Sequence, residues 1–411
     1  MNAGDVYHEY DEAVNRDRIE LLRKQGVEVW GDARVYISPE VCLNNVCPGA
    51  VLKNASVSGA ETMIGRRSEI GTSGTAVLCD CQIGNDVELG AGVYDSATLL
   101  SFSKVRGFAE FRTGTLLEET AEVGHNVGLK NTFLGVGVVA GSNINLCDIV
   151  VTGGISRQNH TEIGSGTVHL NFDPRRDKFG SLLGDAAGLL LASPPIFVGG
   201  NVGLVAPLHV DYGAVIAAGT TVRSDVPGGK LFDVCSPVQV TELKDFEPAL
   251  YFDMSRKCIT TAKLIGTLHA LREFYEHVRM PFCDSWEMHL YKGAAGRLAT
   301  HAEHRVRELH ATINRLRGSI EYVESNRGST QFLPQHKLLV TKKDWISEIL
   351  SRQTPSRPPT LFLHEYEEKR ARHDHAETIR MLSEGALYGA RRWLLSIEEA
   401  YAEPIQALFE Q

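Results

Sequence analysis

The sequence predicts a hexapeptide-repeat parallel β-helix followed by an α-helical domain, and three observations carry that expectation. Apolar residues recur every six positions in two separate runs: Val105, Phe111, Leu117, Val123 and Leu129, then Val198, Leu204, Val210, Ile216 and Val222. A six-residue step matches neither the helical turn nor the alternation of a strand. It fits a coil of three short flat faces, each sending one aliphatic side chain to a shared axis. Glycine often follows the aliphatic, as in Ile64-Gly65, Ile83-Gly84, Val123-Gly124 and Val198-Gly199. Corners between faces favour residues that tolerate unusual backbone angles. Finally, the composition changes near Pro227-Gly228-Gly229: about four fifths of the glycines precede it and ten of the fifteen histidines follow it.

Taken in order, residues 5–25 read as a helix with Ile19, Leu21 and Leu22 on its apolar side, stopped by Gly26. The expected layout is an N-terminal helix in 1–30, the β-helix in 31–230, a linker in 231–250 and the helical domain in 251–411. Early coils keep their turn residues but lose strict phase, as capping repeats do. The segment 148–162 is longer than the repeat, which predicts a loop or displaced half-turn, and Ser193-Pro194-Pro195 marks another break. Further on, Leu298, Ala302, Val306, Leu309, Ile313, Leu316, Ile320 and Val323 form a seam with coiled-coil spacing. One long helix over 294–325 should therefore pack on a partner, with 258–278 and the pair after the proline-rich stretch 352–359 as candidates. With no long Gly/Ser tether between them, the helical domain should pack on the β-helix.

Bulk properties exclude several classes. Net charge is −9 and no basic tract stands out, so nucleic acid is not expected as a partner. No apolar run reaches spanning length and the N-terminus is polar, so neither a membrane helix nor a signal peptide is expected, and the compartment would be the cytoplasm. The eight cysteines are scattered and read as free thiols, with Cys79-x-Cys81 as one inward and one outward residue. No metal is expected. His301 and His304, three apart, and the His373-Asp374-His375 run could share a metal but read as solvated helix faces, and Arg175-Arg176 reads as an exposed loop tip that could meet a ligand's phosphates.

The runs FRTGTLLEETAEVGHNVGLKNTFLG, NFDPRRDKFGSLLGD and VGLVAPLHVDYGAVIAAGTTVRSDV are similar to a known family. They resemble the acetyltransferase half of the bifunctional N-acetylglucosamine-1-phosphate uridyltransferase/glucosamine-1-phosphate acetyltransferase. RIELLRKQGVEVWGDARVYISPEV resembles its linker helix and first coil. The resemblance implies a left-handed β-helix and a homotrimer with sites shared between subunits. It also implies acyl transfer from acetyl-CoA, or another acyl-CoA, to an amino-sugar phosphate or a sugar nucleotide. A sugar phosphate or UDP-sugar would be the bound partner. The family's glycine-rich nucleotide loop is missing from the sequence, so uridylyl transfer is not expected.

Residue by residue, Arg112 and Lys130 fall on the family's phosphate-holding arginine and lysine. From the repeat alone they should stack on adjacent coils. Lys178 falls on a third substrate-side lysine, Asn171 on an asparagine of the reacting centre, and Phe172 where the family has a tyrosine. Ala218 matches an alanine that contacts the cofactor, and Gly200 a serine whose backbone N–H faces the oxyanion. The family's catalytic histidine lies in a segment of the form AGHLTYLGD. Here Ser142 stands in its place, and Asn145 replaces the tyrosine. A serine hydroxyl needs an adjacent base to act near neutral pH. Alternate residues of a strand share a face, so His169, two residues before Asn171, is expected as the substitute base. His160 is the second candidate, and His125, one coil below, a weaker one. If no residue takes the role, the chain is a non-catalytic sugar-phosphate or sugar-nucleotide binding or regulatory protein. A third reading is a structural trimer whose helical domain docks a protein partner.

Overall fold

The computed structural model describes residues 12–171, 173, 175–233, 247, 249–326, 330–353 and 356–410. A parallel β-solenoid of about eleven turns fills 35–232, followed by a helical region, as the six-residue step predicts. Each coil contributes one strand to a parallel eleven-stranded sheet that forms the first face. Its inward column runs Val105, Val123, Ala140, Ile163, Val198 and Ile216, each in register with the next and all buried. On the second face Tyr94, Phe111, Leu129 and Leu146 stack in the same way. Each coil thus buries one apolar side chain per face, which is why the period is legible in the sequence.

Corners explain the polar residues between the apolar ones. Asn126, Asn131, Asn143, Asp148 and Asn201 all adopt left-handed backbone angles, φ between 45° and 63°. Asparagine and aspartate tolerate that region better than other side chains. The two successive coils that begin at Val139 and Glu162 carry one excursion each. One is the antiparallel hairpin Gly154–Ser156 with Asn159–His160, inside the segment expected to depart from the repeat. The other leaves the strand Val168–Leu170 and rejoins the third face at Ser181–Leu183; the sequence reading missed it.

Seven α-helices complete the described chain: α1 (Glu12–Lys24), α2 (Ser255–Phe274), α3 (Ser285–Asn326), α4 (Leu333–Ser351), α5 (Thr360–Arg370), α6 (His375–Arg380) and α7 (Glu384–Gln406). Helix α3 is longer than the expected 294–325. Its seam residues Leu298, Leu309, Ile313 and Leu316 are buried in one apolar cluster with α2 and α4. Helix α2 was among the predicted partners and α4 was not. That cluster also contains Met63, Leu116, Phe133, Val150 and Leu182, which point outward from the third face of the solenoid. The helical region therefore packs on that face. None of the described helices is long and apolar enough to cross a membrane.

Three readings of polar residues need correction. Arg175 is no exposed loop tip, since its side chain is 14% exposed and donates to the Leu250 carbonyl at 2.8 Å. His301 is 1% exposed and His375 3% exposed, so neither lies on a solvated helix face. Both are held where helices meet the solenoid or each other, a burial that helical periodicity does not reveal. The seven cysteines among the described residues are free. Cys81 is fully buried and Cys79 half-buried, and burial pushes the Cys81 thiol up to about 12.

Candidate functional site

Two columns of side chains border the second face of the solenoid. Phe111 pairs with Leu129 and Lys130 with Cys147, so Arg112, Lys130 and Cys147 occupy successive coils at one edge. Neighbouring rungs lie roughly 4.8 Å apart, close enough for two cations to share one anion. The Arg112 guanidinium donates to Cys147 Sγ at 3.5 Å and lies 3.8 Å from Glu110 Oε1. Its side chain remains 42% exposed. Lys130 makes no ion pair among the described residues. Burial pushes the Cys147 thiol up, against the opposing pull of Arg112 and Lys130. The middle of the face between these coils is Gly128, flanked in register by Glu110 and Asn145. With no side chain at Gly128, the Asn145 carboxamide lies over the floor, its Oδ1 3.3 Å from where a Cβ would stand. Asn145 is exposed there.

The opposite edge is a ladder built from one corner position. Register places His125, Ser142, Ser165, Gly200 and Ala218 one above another. Ser142 Oγ accepts the His125 backbone N–H at 3.1 Å, and the Ser142 N–H donates to Ser165 Oγ at 3.0 Å. The Ser142 hydroxyl thus joins coils. The imidazole of His125 is exposed at the same edge, directly below Ser142. Gly200 and Ala218 keep the upper part of this edge low.

His169 does not join this surface. Asn145 pairs with Val168 and His169 with Leu204, so the ring takes the inward rung between Leu146 and Leu204. It is 2% exposed, whereas Val168 and Leu170 on either side are exposed. Nδ1 meets the Cys147 carbonyl at 2.7 Å and must donate to it, which leaves Nε2 to accept from Ser181 Oγ at 2.8 Å. Burial pushes this imidazole down to about 4, against the opposing pull of that carbonyl. The expected alignment with Asn171 fails because the chain turns a corner after Leu170. The sequence did carry the signal: His169 follows Ile163 by the same six-residue step that takes Val198 to Leu204. His160 sits on the hairpin, with Nδ1 2.8 Å from the Arg157 carbonyl. That hairpin leaves the far end of the third face, away from the ladder that holds Ser142.

Asn171 and Lys178 belong to a cluster that the sequence reading did not foresee. The Asn171 amide donates to Asp148 Oδ2. Asp148 Oδ1 accepts from Asn131 at 2.8 Å and pairs with Arg305 of α3 at 2.8 Å. Burial pushes the Asp148 carboxyl up, but His304 and Arg305 hold it well below the usual carboxylate range. Arg305 also donates to the Lys178 carbonyl at 3.2 Å, while the Lys178 side chain is exposed. Helix α3 therefore fixes the corner and the excursion that carry these two residues. Phe172 lies outside the described residues.

No family model matches the chain. Among curated proteins, the bifunctional protein GlmU of Exiguobacterium sp. is 30% identical over 228 residues, covering 53% of this chain and 44% of that protein. GlmU of Acidithiobacillus ferrooxidans is 31% identical over 217 residues, covering 53% and 43%. GlmU of Thermotoga petrophila is 29% identical over 217 residues, covering 53% and 44%. The chain spans less than half the length of these relatives. It thus resembles the β-helix half of the bifunctional GlmU proteins, and a helical region follows that half here.

Proposed function

We propose that this chain transfers an acyl group to an amino-sugar phosphate, holding the phosphate between Arg112 and Lys130. The observation that carries the reading is their placement on adjacent coils beside the glycine floor at Gly128. Two charge-assisted donors on one anion are the strongest kind of hydrogen-bonded contact such a face can offer. Asn145, exposed at the middle of the same face, would contact the sugar. Asn171 and Lys178 contribute from the corner that α3 braces.

The low edge at Gly200 and Ala218 fits a long, thin acyl carrier. Acetyl-CoA bound there would supply the acyl group. The attacking amine must lose a proton, and neither Ser142, whose hydroxyl bridges two coils, nor the inward His169 is free to take it. His125 is the exposed imidazole on that edge, and the base role falls to it in this reading. A homotrimer would set a second copy against the open face and complete the groove.

A second reading, sugar-phosphate binding without catalysis, is favoured by the same engagement of Ser142 and His169. Two measurements separate them. The Arg112→Ala/Lys130→Ala double variant should lose glucosamine 1-phosphate binding and keep its circular dichroism spectrum; unchanged affinity would remove the phosphate site. Acyl transfer by the unmodified protein that vanishes in His125→Gln supports the enzyme. Binding with no transfer to any amino-sugar phosphate supports the binding protein.

A further inference from the structure

A cavity of about 350 Å³ lies between the first coils of the third face and the start of α3, well away from the face just described. Its volume falls at the lower end of the range for small-molecule sites. Arg297 and Lys292 line it with Trp286, and Glu61 and Gln82 face them from the solenoid. Arg297 donates to the Asp80 carbonyl at 2.9 Å and to Gln82 Oε1 at 3.0 Å, both neutral groups. None of the ion pairs among the described residues involves Arg297, Lys292 or Glu61. Two side-chain donors, Arg297 Nε and Trp286 Nε1, are buried without a hydrogen-bond partner. Buried donors are ordinarily satisfied; the Trp286 indole at this cavity has no acceptor, while the Arg297 guanidinium lacks one only at Nε, as Arg112, Arg279 and Arg305 do elsewhere.

The helix backbone lies open along the same cavity. Glycine is the least favourable residue inside a helix apart from proline, yet α3 carries Gly293 and Gly296 along this cavity. Packing explains the first, because a Cβ at Gly293 would come within 2.5 Å of Gln82 Oε1. It does not explain the second, because a Cβ at Gly296 would meet nothing within 4 Å. Gly296 is exposed and leaves open space along the cavity beside Arg297 and Lys292.

We propose that this cavity binds a small anion bearing a planar ring, of mononucleotide size. Arg297 and Lys292 hold its charged group and Trp286 lies against its ring. Glu61 accepts from the ligand's amino or hydroxyl donors. The site uses no group of the second face and stands or falls separately from the acyl-transfer reading.

The test is titration of the full chain with AMP, UMP, inorganic phosphate and adenosine, followed by calorimetry and by tryptophan fluorescence. A mononucleotide should bind saturably, and about ten-fold or more tighter than phosphate or adenosine alone. Gly296→Leu, which fills the space, and Arg297→Gln should each weaken binding by about ten-fold or more. Lys292→Gln, at an exposed position, should weaken it without touching the fold, which guards against loss through misfolding. The Arg112→Ala/Lys130→Ala variant should keep the mononucleotide binding, whatever it loses of phosphate binding at the second face. Saturable binding of none of the four probes overturns the proposal. So does nucleotide binding that survives Gly296→Leu, or that is lost only in the Arg112/Lys130 variant.

Discussion

His169 shows how one residue's direction decides its role. An inward imidazole with both nitrogens engaged is a piece of solenoid interior, and its removal should be felt in stability. His169→Ala would leave a cavity and strip Ser181 of its acceptor, at a cost of roughly 2–4 kcal/mol, read from denaturant midpoints. By contrast His125→Gln should leave stability unchanged and lower turnover roughly 10²–10⁴-fold, the scale of a lost general base. Equal turnover in the two would count against His125 as the base. Burial also sets a pH dependence. His169 and His269 are pushed down to about 4 and His301 to about 3, from 6.5 in the unfolded chain. Between those values the unfolded state binds more protons than the folded one, so stability rises with pH. The contribution is fully present above pH 6.5 and lost as pH falls towards 4 or 3, up to on the order of 3 kcal/mol for each histidine. Thermal unfolding between pH 7 and 4 should show the loss, and His169→Gln should make the dependence shallower.

At the scale of elements, the contact between the third face and the helices turns on a π-helical turn at the end of α2, Tyr275–Arg279. It delivers Arg279 to Glu118 at 3.0 Å and to Glu119, with all three side chains nearly or fully buried. Tyr275 donates to Glu118, and Arg279 meets the Tyr291 hydroxyl at 3.1 Å. Burial and the neighbouring Glu119 push the Glu118 carboxyl up; burial does the same to Glu119, but Arg279 more than reverses it. Removing the arginine alone would strand two buried acids, so Arg279→Met should cost roughly 3–5 kcal/mol. Replacing all three by apolar residues of similar size should cost far less. Equal losses in the single and triple variants would show that the network adds nothing beyond packing.

For the whole molecule, the helices claim one of three solenoid faces. The remaining two are where a neighbouring copy would sit in the proposed trimer, and light scattering that reports a monomer would remove the shared groove. The covered face gives a separate expectation. A chain ending near residue 233 would expose Met63, Leu116, Phe133, Val150 and Leu182 together, an apolar column of the kind that drives association. It should self-associate and bind a hydrophobic dye, where the full chain does not. A soluble, dye-silent truncation would mean that the helices are dispensable to the solenoid.

The sequence by itself determined the solenoid, because each rung buries one side chain per face and so writes a period of six. It also determined the stacking of Arg112 on Lys130, since a full turn of the repeat returns a residue to the same edge. The seam from Leu298 to Val323 announced α3 for a similar reason. What only the tertiary structure decided depends on contacts without a period. The corner after Leu170 turned His169 inward, and the Asp148 carboxylate met Arg305 of α3 in a buried ion pair beside the half-buried His304. The docking of α3 on the early coils enclosed Arg297 and Trp286 around a space that no pattern of spacing encodes. Direction and burial at a corner or a junction are set by which segments meet, and those meetings join residues far apart in the chain.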